Sequence, residues 1–394
     1  MAYLTKPTVY NIEDSNIALL GSDLEKKVRE NAGGQESAWE SAGAEAGLKI
    51  WRVEQFQIVD WPQDRYGTFY SGDSYIVLYT FKSSPEPNDL SFNLHFWLGS
   101  STTIDEAGTA AYKTVELDDH LRGMPVQFRE VQGHESSQFL SYFPRFSCLE
   151  GGVATGFRKV VDPPPLDVKK LYRVTLTRTH DAATGKTAST LVVREVPAIA
   201  QSLVAGDTYV LDKGEKVWQL NTTGSAGQER YKAAEFAQSL VNERQSKCEL
   251  TVFGPSKHIP ADEGHSGVSR FFNEFGDGAS LHPHQPTSEA QPIKIFRISD
   301  ISGELEFTPL SGTSRGLLSS NDSFLVDDSK SPQSPALYAW IGSAASLAER
   351  RSVVQYAQNY LYQERDSHRG RLGVPIIKME EGREPKGFID LLSD

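Results

Sequence analysis

The chain has 394 residues, which at roughly 150 residues per domain implies two or three domains. Its 40 Lys and Arg against 52 Asp and Glu leave a net charge of −12, which excludes general binding to nucleic-acid phosphate. Hydrophobic residues at 38% suffice for packed domains, no run approaches the about 18 apolar residues of a membrane span, no leader is visible, and two cysteines, Cys148 and Cys248, are too few for a disulfide framework or a zinc site, so a soluble, cytoplasmic, multi-domain protein is expected.

Residues 1–45 form an N-terminal extension, with a short helix expected over Ser22–Glu30 and broken by Gly33-Gly34. The first unit, 46–161, opens on a β-branched, aromatic and alternating stretch that predicts one strand over Ile50–Asp60. Strands follow over Ser74–Phe81 and Leu94–Leu98. Ala110, Ala111, Val115, Leu117 and Leu121 fall near helical spacing, so a long amphipathic helix is predicted over Asp105–Leu121, with a shorter one near Ser136–Tyr142. Asp162-Pro163-Pro164-Pro165 reads as a stiff linker to the second unit, 166–275, whose long helix is predicted over Gln228–Asn242. A second linker over 276–291 leads to the third unit, 292–394, with its helix over Ala345–Tyr362.

These units repeat one another. Ile50-Trp51-Arg52-Val53, Leu171-Tyr172-Arg173-Val174 and Ile295-Phe296-Arg297-Ile298 each read apolar, aromatic, Arg, β-branched, at a period of about 120 residues. Gly72-Asp73, Gly206-Asp207 and Asn321-Asp322 each precede a strand, and Trp97-Leu98-Gly99, Trp218 and Trp340-Ile341-Gly342 follow in the same order. Glu106, Glu229 and Glu349 then open the Ala-rich helices. Such agreement in order and spacing makes the chain three copies of one α+β unit, strands packed by a helix. An acid closing a turn, beside a Glu opening a helix, offers the carboxylate and carbonyl oxygens that calcium takes. One such pair is ordinarily a turn and a helix cap, and its recurrence in all three units is what favours a metal.

The motifs resemble gelsolin repeats, and the three-unit layout is similar to the severin and fragmin members of that family. The likeness is carried by Gly47-Leu48-Lys49-Ile50-Trp51-Arg52-Val53-Glu54, Tyr70-Ser71-Gly72-Asp73-Ser74-Tyr75-Ile76-Val77, Leu94-His95-Phe96-Trp97-Leu98-Gly99, Arg129-Glu130-Val131-Gln132-Gly133-His134-Glu135-Ser136 and Gly151-Gly152-Val153-Ala154-Thr155-Gly156-Phe157. It implies three gelsolin-like repeats, each a central mixed β-sheet packed between a long and a short helix. The implied function is calcium-dependent severing of actin filaments and capping of their barbed ends, with nucleation as a further activity, and no enzymatic one. The alternative is a protein that caps without severing.

By the same resemblance, calcium within the first unit is held by Gly72, Asp73, Glu106 and Val153, the glycine and valine through carbonyls. A site shared with actin uses Asp118 with carbonyls of Gly123 and Pro125. The second unit supplies Gly206, Asp207 and Glu229, and the third Asp322 and Glu349. The implied partner is actin, monomer and filament, met by Ala110, Tyr112, Lys113, Val115 and Glu116 on the first long helix. The second unit would add a basic patch of Lys169, Lys170, Arg173, Arg178, Arg230 and Lys232. Phosphoinositide binding is expected to be weak, because the stretch Phe143–Glu150 carries a single Arg. The protein is expected to be a monomer. Gly312-Thr313-Ser314-Arg315-Gly316 matches a nucleophile elbow, but a route to the next strand follows it, so a hydrolase centred on Ser314 is set aside.

Overall fold

The computed structural model describes residues 36–54, 56–82, 90–152, 168–181, 185–244, 248–254, 266–283, 291–331, 334–363 and 373–392. The expected helix over Ser22–Glu30 and the linker Asp162–Pro165 lie outside them.

The first unit holds β1 (Gly47–Glu54), β2 (Gln57–Asp60), β3 (Thr68–Tyr70), β4 (Ser74–Lys82), β5 (Leu90–Leu98), α1 (Ile104–His120), β6 (Val126–Val131), α2 (Ser137–Ser141) and β7 (Arg145–Leu149). The second holds β8 (Lys170–Asp181), β9 (Lys186–Val196), β10 (Thr208–Asp212), β11 (Lys216–Asn221), α3 (Gly227–Glu243), β12 (Glu249–Phe253) and α4 (Ser266–Phe272). The third holds β13 (Lys294–Ser299), β14 (Glu306–Leu310), β15 (Ser323–Asp328), β16 (Ala336–Ile341), α5 (Leu347–Gln363), β17 (Ile376–Glu380) and α6 (Lys386–Ile389).

The five main strands of each unit follow one order, β2-β1-β4-β5-β6, β9-β8-β10-β11-β12 and β14-β13-β15-β16-β17. Pairing is antiparallel until the last strand, which runs parallel to its neighbour in every unit. The central strand is buried on both faces. In β4, Tyr75 and Val77 point into a cluster with Phe69, Phe139 and Phe146, while Ile76 and Leu78 point into another with Trp51, Leu117 and Leu121. Strand alternation thus feeds two cores, one under the short helix and one under the long helix. The long helices bury narrow stripes, Ala233, Phe236, Ala237 and Val241 in α3 and Glu349, Val353, Ala357 and Leu361 in α5.

Three expectations change. The strand over Ile50–Asp60 is a hairpin, because Phe56 takes φ 67° and reverses the chain between β1 and β2. No glycine or proline marks this turn, so alternation alone ran through it. The extension is not wholly separate: Trp39 is fully buried edge-on against Trp51, 5.1 Å between ring centres. The second linker begins packed on the second unit, where Val204 bridges to His282 and Leu281 joins the α4 core.

Two sheets cross unit boundaries. β7 pairs in parallel with β9, placing Val192 in the first unit's core. β17 pairs antiparallel with β6, Ile376 opposite Arg129 and Lys378 opposite Gln127, to give a ten-stranded sheet. Among the described residues, no helix is long and apolar enough to cross a membrane.

The first and second units also meet through a bidentate pair, Arg194 Nη2 to Glu135 Oε2 at 2.6 Å and Nη1 to Oε1 at 3.2 Å. Burial pushes the fully buried Glu135 carboxyl up, but the Arg194 charge and hydrogen bonds outweigh it and hold it below the usual range. This contact therefore contributes stability above the ordinary carboxylate range and loses it as pH falls through that range to the depressed value. Arg194→Ala leaves the buried charge uncompensated and is predicted to cost about 3–5 kcal/mol in denaturant unfolding near neutral pH, with the difference from the parent shrinking in acid.

Candidate functional site

The repeated Gly-Asp and Trp-x-Gly motifs are brought together by backbone contact. Gly99 N donates to the Asp73 carbonyl at 3.0 Å, and Gly342 N to the Asp322 carbonyl at 3.1 Å. A Cβ at Gly99 would lie 2.2 Å from the Ser71 carbonyl oxygen, and one at Gly342 2.3 Å from that of Ser320. The glycine after each tryptophan strand is therefore what lets the acid-bearing turn close on it. In the second unit Thr222 does this differently, its hydroxyl donating to the Asp207 carbonyl at 2.6 Å and accepting from Gly206 N at 2.9 Å.

Each turn aspartate is buried and faces the motif arginine of the neighbouring strand. Arg52 lies 3.5 Å from Asp73, Arg173 2.7 Å from Asp207 and Arg297 2.8 Å from Asp322. Burial pushes the Asp322 carboxyl up, yet the hydrogen bonds from Arg297 and Ser299 prevail and hold it below the usual range. The helix glutamates approach the same places. Glu229 accepts from Leu176 N at 2.9 Å and Ala226 N at 3.1 Å, and Glu349 accepts from Asp300 N at 3.0 Å and Ser346 N at 3.2 Å. Glu106 takes the Thr102 hydroxyl at 3.3 Å, and that hydroxyl also meets Ser74 Oγ at 2.8 Å. Burial raises the Glu349 carboxyl, the two amide hydrogen bonds oppose this, and the Asp300 charge adds to the rise. Asp300 was not singled out in the sequence. It lies three residues past the motif arginine, and Ser346 Oγ donates to its Oδ2 at 2.6 Å.

The donor set suits a hard cation in the first unit. The loop after β7 folds onto the turn, with Gly72 N donating to the Gly151 carbonyl at 2.7 Å. A Cβ at Gly152 would stand 2.4 Å from Asp73 Oδ1, so a bare backbone reaches the carboxylate, and Gly152 has φ +147°. Val153 lies outside the described residues. Among the described residues, no group of three or more His, Cys, Asp or Glu could hold a metal, so a cation here depends on backbone carbonyls as well as Asp73 and Glu106.

The second kind of site lies at the end of α1. Asp118 is buried, Gln127 Nε2 donates to its Oδ2 at 2.6 Å, and its Oδ1 finds no hydrogen-bond partner among the described residues. An orphaned buried carboxylate oxygen fits a cation. Burial pushes this carboxyl up to about 6, against the pull of Lys378 and with the push of Asp119 and Glu380. The Gly123 carbonyl accepts from Arg383, while Pro125 is buried. Gly123 thus faces the third unit here.

The expected contact surfaces are less uniform than their sequence suggested. On α1, Tyr112 is exposed, but Ala110 is fully buried and Glu116 is 2% exposed, so these two belong to the inner face. Lys113 pairs with Glu36 at 2.9 Å and Glu116 at 2.7 Å, and Val115 is half-buried. The six cations expected of the second unit do not converge as one patch. Lys170 and Arg178 stand eight residues apart on β8, about 26 Å at a strand's rise. Lys169 donates to the Glu274 carbonyl, Lys170 pairs with Glu195, Arg173 with Asp207, Arg230 with Ser225 and Lys232 with Glu235. Arg178 is exposed. Ser314 caps a short 3-10 turn, its side chain accepting from Gly316 N at 3.2 Å, which is no strand-to-helix elbow.

A family model described as "Gelsolin repeat" matches residues 62–140 and 312–389, within the first and third units. The chain is 34% identical over 392 residues to Gelsolin-like protein 2 of Lumbricus terrestris, covering 98% of each. It is 36% identical over 346 residues to Gelsolin-like protein 1 of the same organism, covering 86% of each. It is 34% identical over 374 residues to Severin of Echinococcus granulosus, covering 92% of each.

Gly99→Ala and Gly342→Ala should each lower unfolding stability by about 1–3 kcal/mol, the cost of forcing a methyl against backbone. Gly108→Ala, where a Cβ meets nothing within 4 Å inside α1, should instead raise it by about 0.4–1 kcal/mol. Denaturant titration of the three variants measures both.

Proposed function

The chain belongs to the gelsolin family, and from that premise we propose that it is a cytoplasmic, non-enzymatic, calcium-dependent actin-binding protein that severs filaments, caps their barbed ends and nucleates new ones. The observation that carries the regulated part of this reading is the β6–β17 pairing, which lays Lys378 and Arg383 against Asp118 and Gly123.

In this reading the exposed side of α1, with Tyr112 outermost and Lys113 and Val115 beside it, wedges into actin. Asp118, Gly123 and Pro125 at the helix end would share a calcium ion with a carboxylate of the partner. Lys378 and Arg383 of the third unit stand against Asp118 and Gly123, so the third unit must leave before that contact forms. The second unit docks on the filament side through Arg178, Lys232 and the other dispersed cations, steering more than anchoring because most are already paired. The same internal pairing of Lys169, Lys170 and Arg173 keeps any phosphoinositide response weak. Calcium, when bound, supplies divalent charge that Asp73, Glu106, Asp118, Asp207, Glu229, Asp322 and Glu349 offset. Because the closed arrangement sets Lys378 and Arg383 of the third unit against the Asp118 site, calcium bound there favours the open one; a ligand shifts only an equilibrium whose states it distinguishes.

Microscopy of single labelled filaments should show internal breaks with calcium and intact filaments under chelation. Blocked growth at ends without breaks would instead assign capping alone. Asp118→Ala should weaken the complex with monomeric actin at least roughly tenfold while leaving thermal unfolding within about 1 kcal/mol of the parent. Equal losses in both would end the shared-site reading.

A further inference from the structure

The motif arginines are conspicuous because nothing in the strand pattern asks for them. Arg52 stands opposite Tyr75, Arg173 opposite Tyr209 and Arg297 opposite Phe324. In each unit the turn aspartate lies two residues before that partner, the diagonal neighbour on the same face of the sheet. The three Arg–Asp pairs are thus one construction made three times, between the first and second of the repeated motifs. Resting on the calcium reading above, we propose that Arg52, Arg173 and Arg297 are resident cations of the three candidate calcium sites, so that loading a unit exchanges one guanidinium for one calcium ion.

The chemistry supports exchange over coexistence. Asp73, Asp207 and Asp322 are 0%, 7% and 3% exposed, and a carboxylate so buried needs a counter-charge whether or not metal is present. A guanidinium supplies one positive charge through N–H donors and no oxygen for a metal. It cannot join calcium's coordination shell, and like charge so close opposes the ion. Nor is it firmly kept, for the Nε atoms of Arg173 and Arg297 are buried and find no acceptor among the described residues.

The three arginines are not held equally. Arg52 Nε donates to Glu54 Oε1 at 2.7 Å, Nη2 reaches the same oxygen, and the guanidinium lies over the Trp61 ring at 4.7 Å. Its Nη1 stands 3.5 Å from Asp73 Oδ2, against 2.7 Å and 2.8 Å for the ion pairs of the other two units. Glu54 is two residues past the arginine, where the other units carry Thr175 and Ser299. The first unit alone has a carboxylate there to receive the displaced guanidinium, so it loads at the lowest calcium concentration.

Calorimetric titration of the full chain with calcium tests this directly. Arg173→Gln should tighten one site by about fivefold or more and leave the others within roughly twofold, Arg173→Lys should change little, and Glu54→Gln should weaken the tightest site by about fivefold. Unchanged or weaker binding by Arg173→Gln with an intact thermal transition overturns the proposal. If that variant does not fold, Glu54→Gln decides alone, and unchanged affinity overturns it. Calcium bound by Arg173→Gln and not by the parent chain would support the resident cation and end the calcium-dependence reading. No binding by either would end both.

Discussion

The pairing of two sheet edges governs much of this molecule. Each unit finishes on a strand parallel to its neighbour, and such a strand leaves a row of unpaired N–H and C=O groups on its outer side. β6 and β17 answer this need for each other, Ile376 to Arg129, Ile377 to Phe128 and Lys378 to Gln127. The consequence is chemical as well as mechanical. Gln127 reaches Asp118 from that pairing, while Lys378 and Arg383 bring positive charge to the end of α1. Satisfying an edge therefore also covers the residues that the proposed partner contact requires.

The acidic balance of the chain has a structural counterpart. Its notable carboxylates sit at closed turns, helix starts and unit junctions, and each is met by a donor or a cation from elsewhere in the chain. Glu135 is met by Arg194 of the second unit, Asp207 by Arg173, Asp322 by Arg297 and Glu229 by Leu176 N. Dispersing the cations into such pairs leaves no single basic face among the described residues of the second unit.

Much of the fold was legible because it is local. The predicted helix over Asp105–Leu121 is observed as Ile104–His120, and that over Gln228–Asn242 as Gly227–Glu243. Helical spacing of apolar residues reports which side meets the core, and Thr103 caps α1 by accepting from Glu106 N. The turn at Phe56 was hidden because its apolar residue sustained the alternation. β3 and β7 were hidden because three- and five-residue strands carry no period of their own. On α1 the resemblance put Glu116 on the contact face, yet it is buried beside Lys113.

The candidate sites divide in the same way. The repeated Gly-Asp, Trp-x-Gly and helix Glu could be found by period alone, and their spacing already placed them near one turn and one helix start. What stands across from them could not. That Arg52, Arg173 and Arg297 face the turn aspartates, that Asp300 joins Glu349, and that the third unit covers Asp118 depend on strand register between segments far apart in the chain. The sequence by itself determined three copies of an α+β pattern and the positions of the repeated carboxylates, because both follow from local pattern and side-chain chemistry. Tertiary structure alone decided which charges neutralise those residues and which surfaces stay open, because counter-charge and burial are set by neighbours in space.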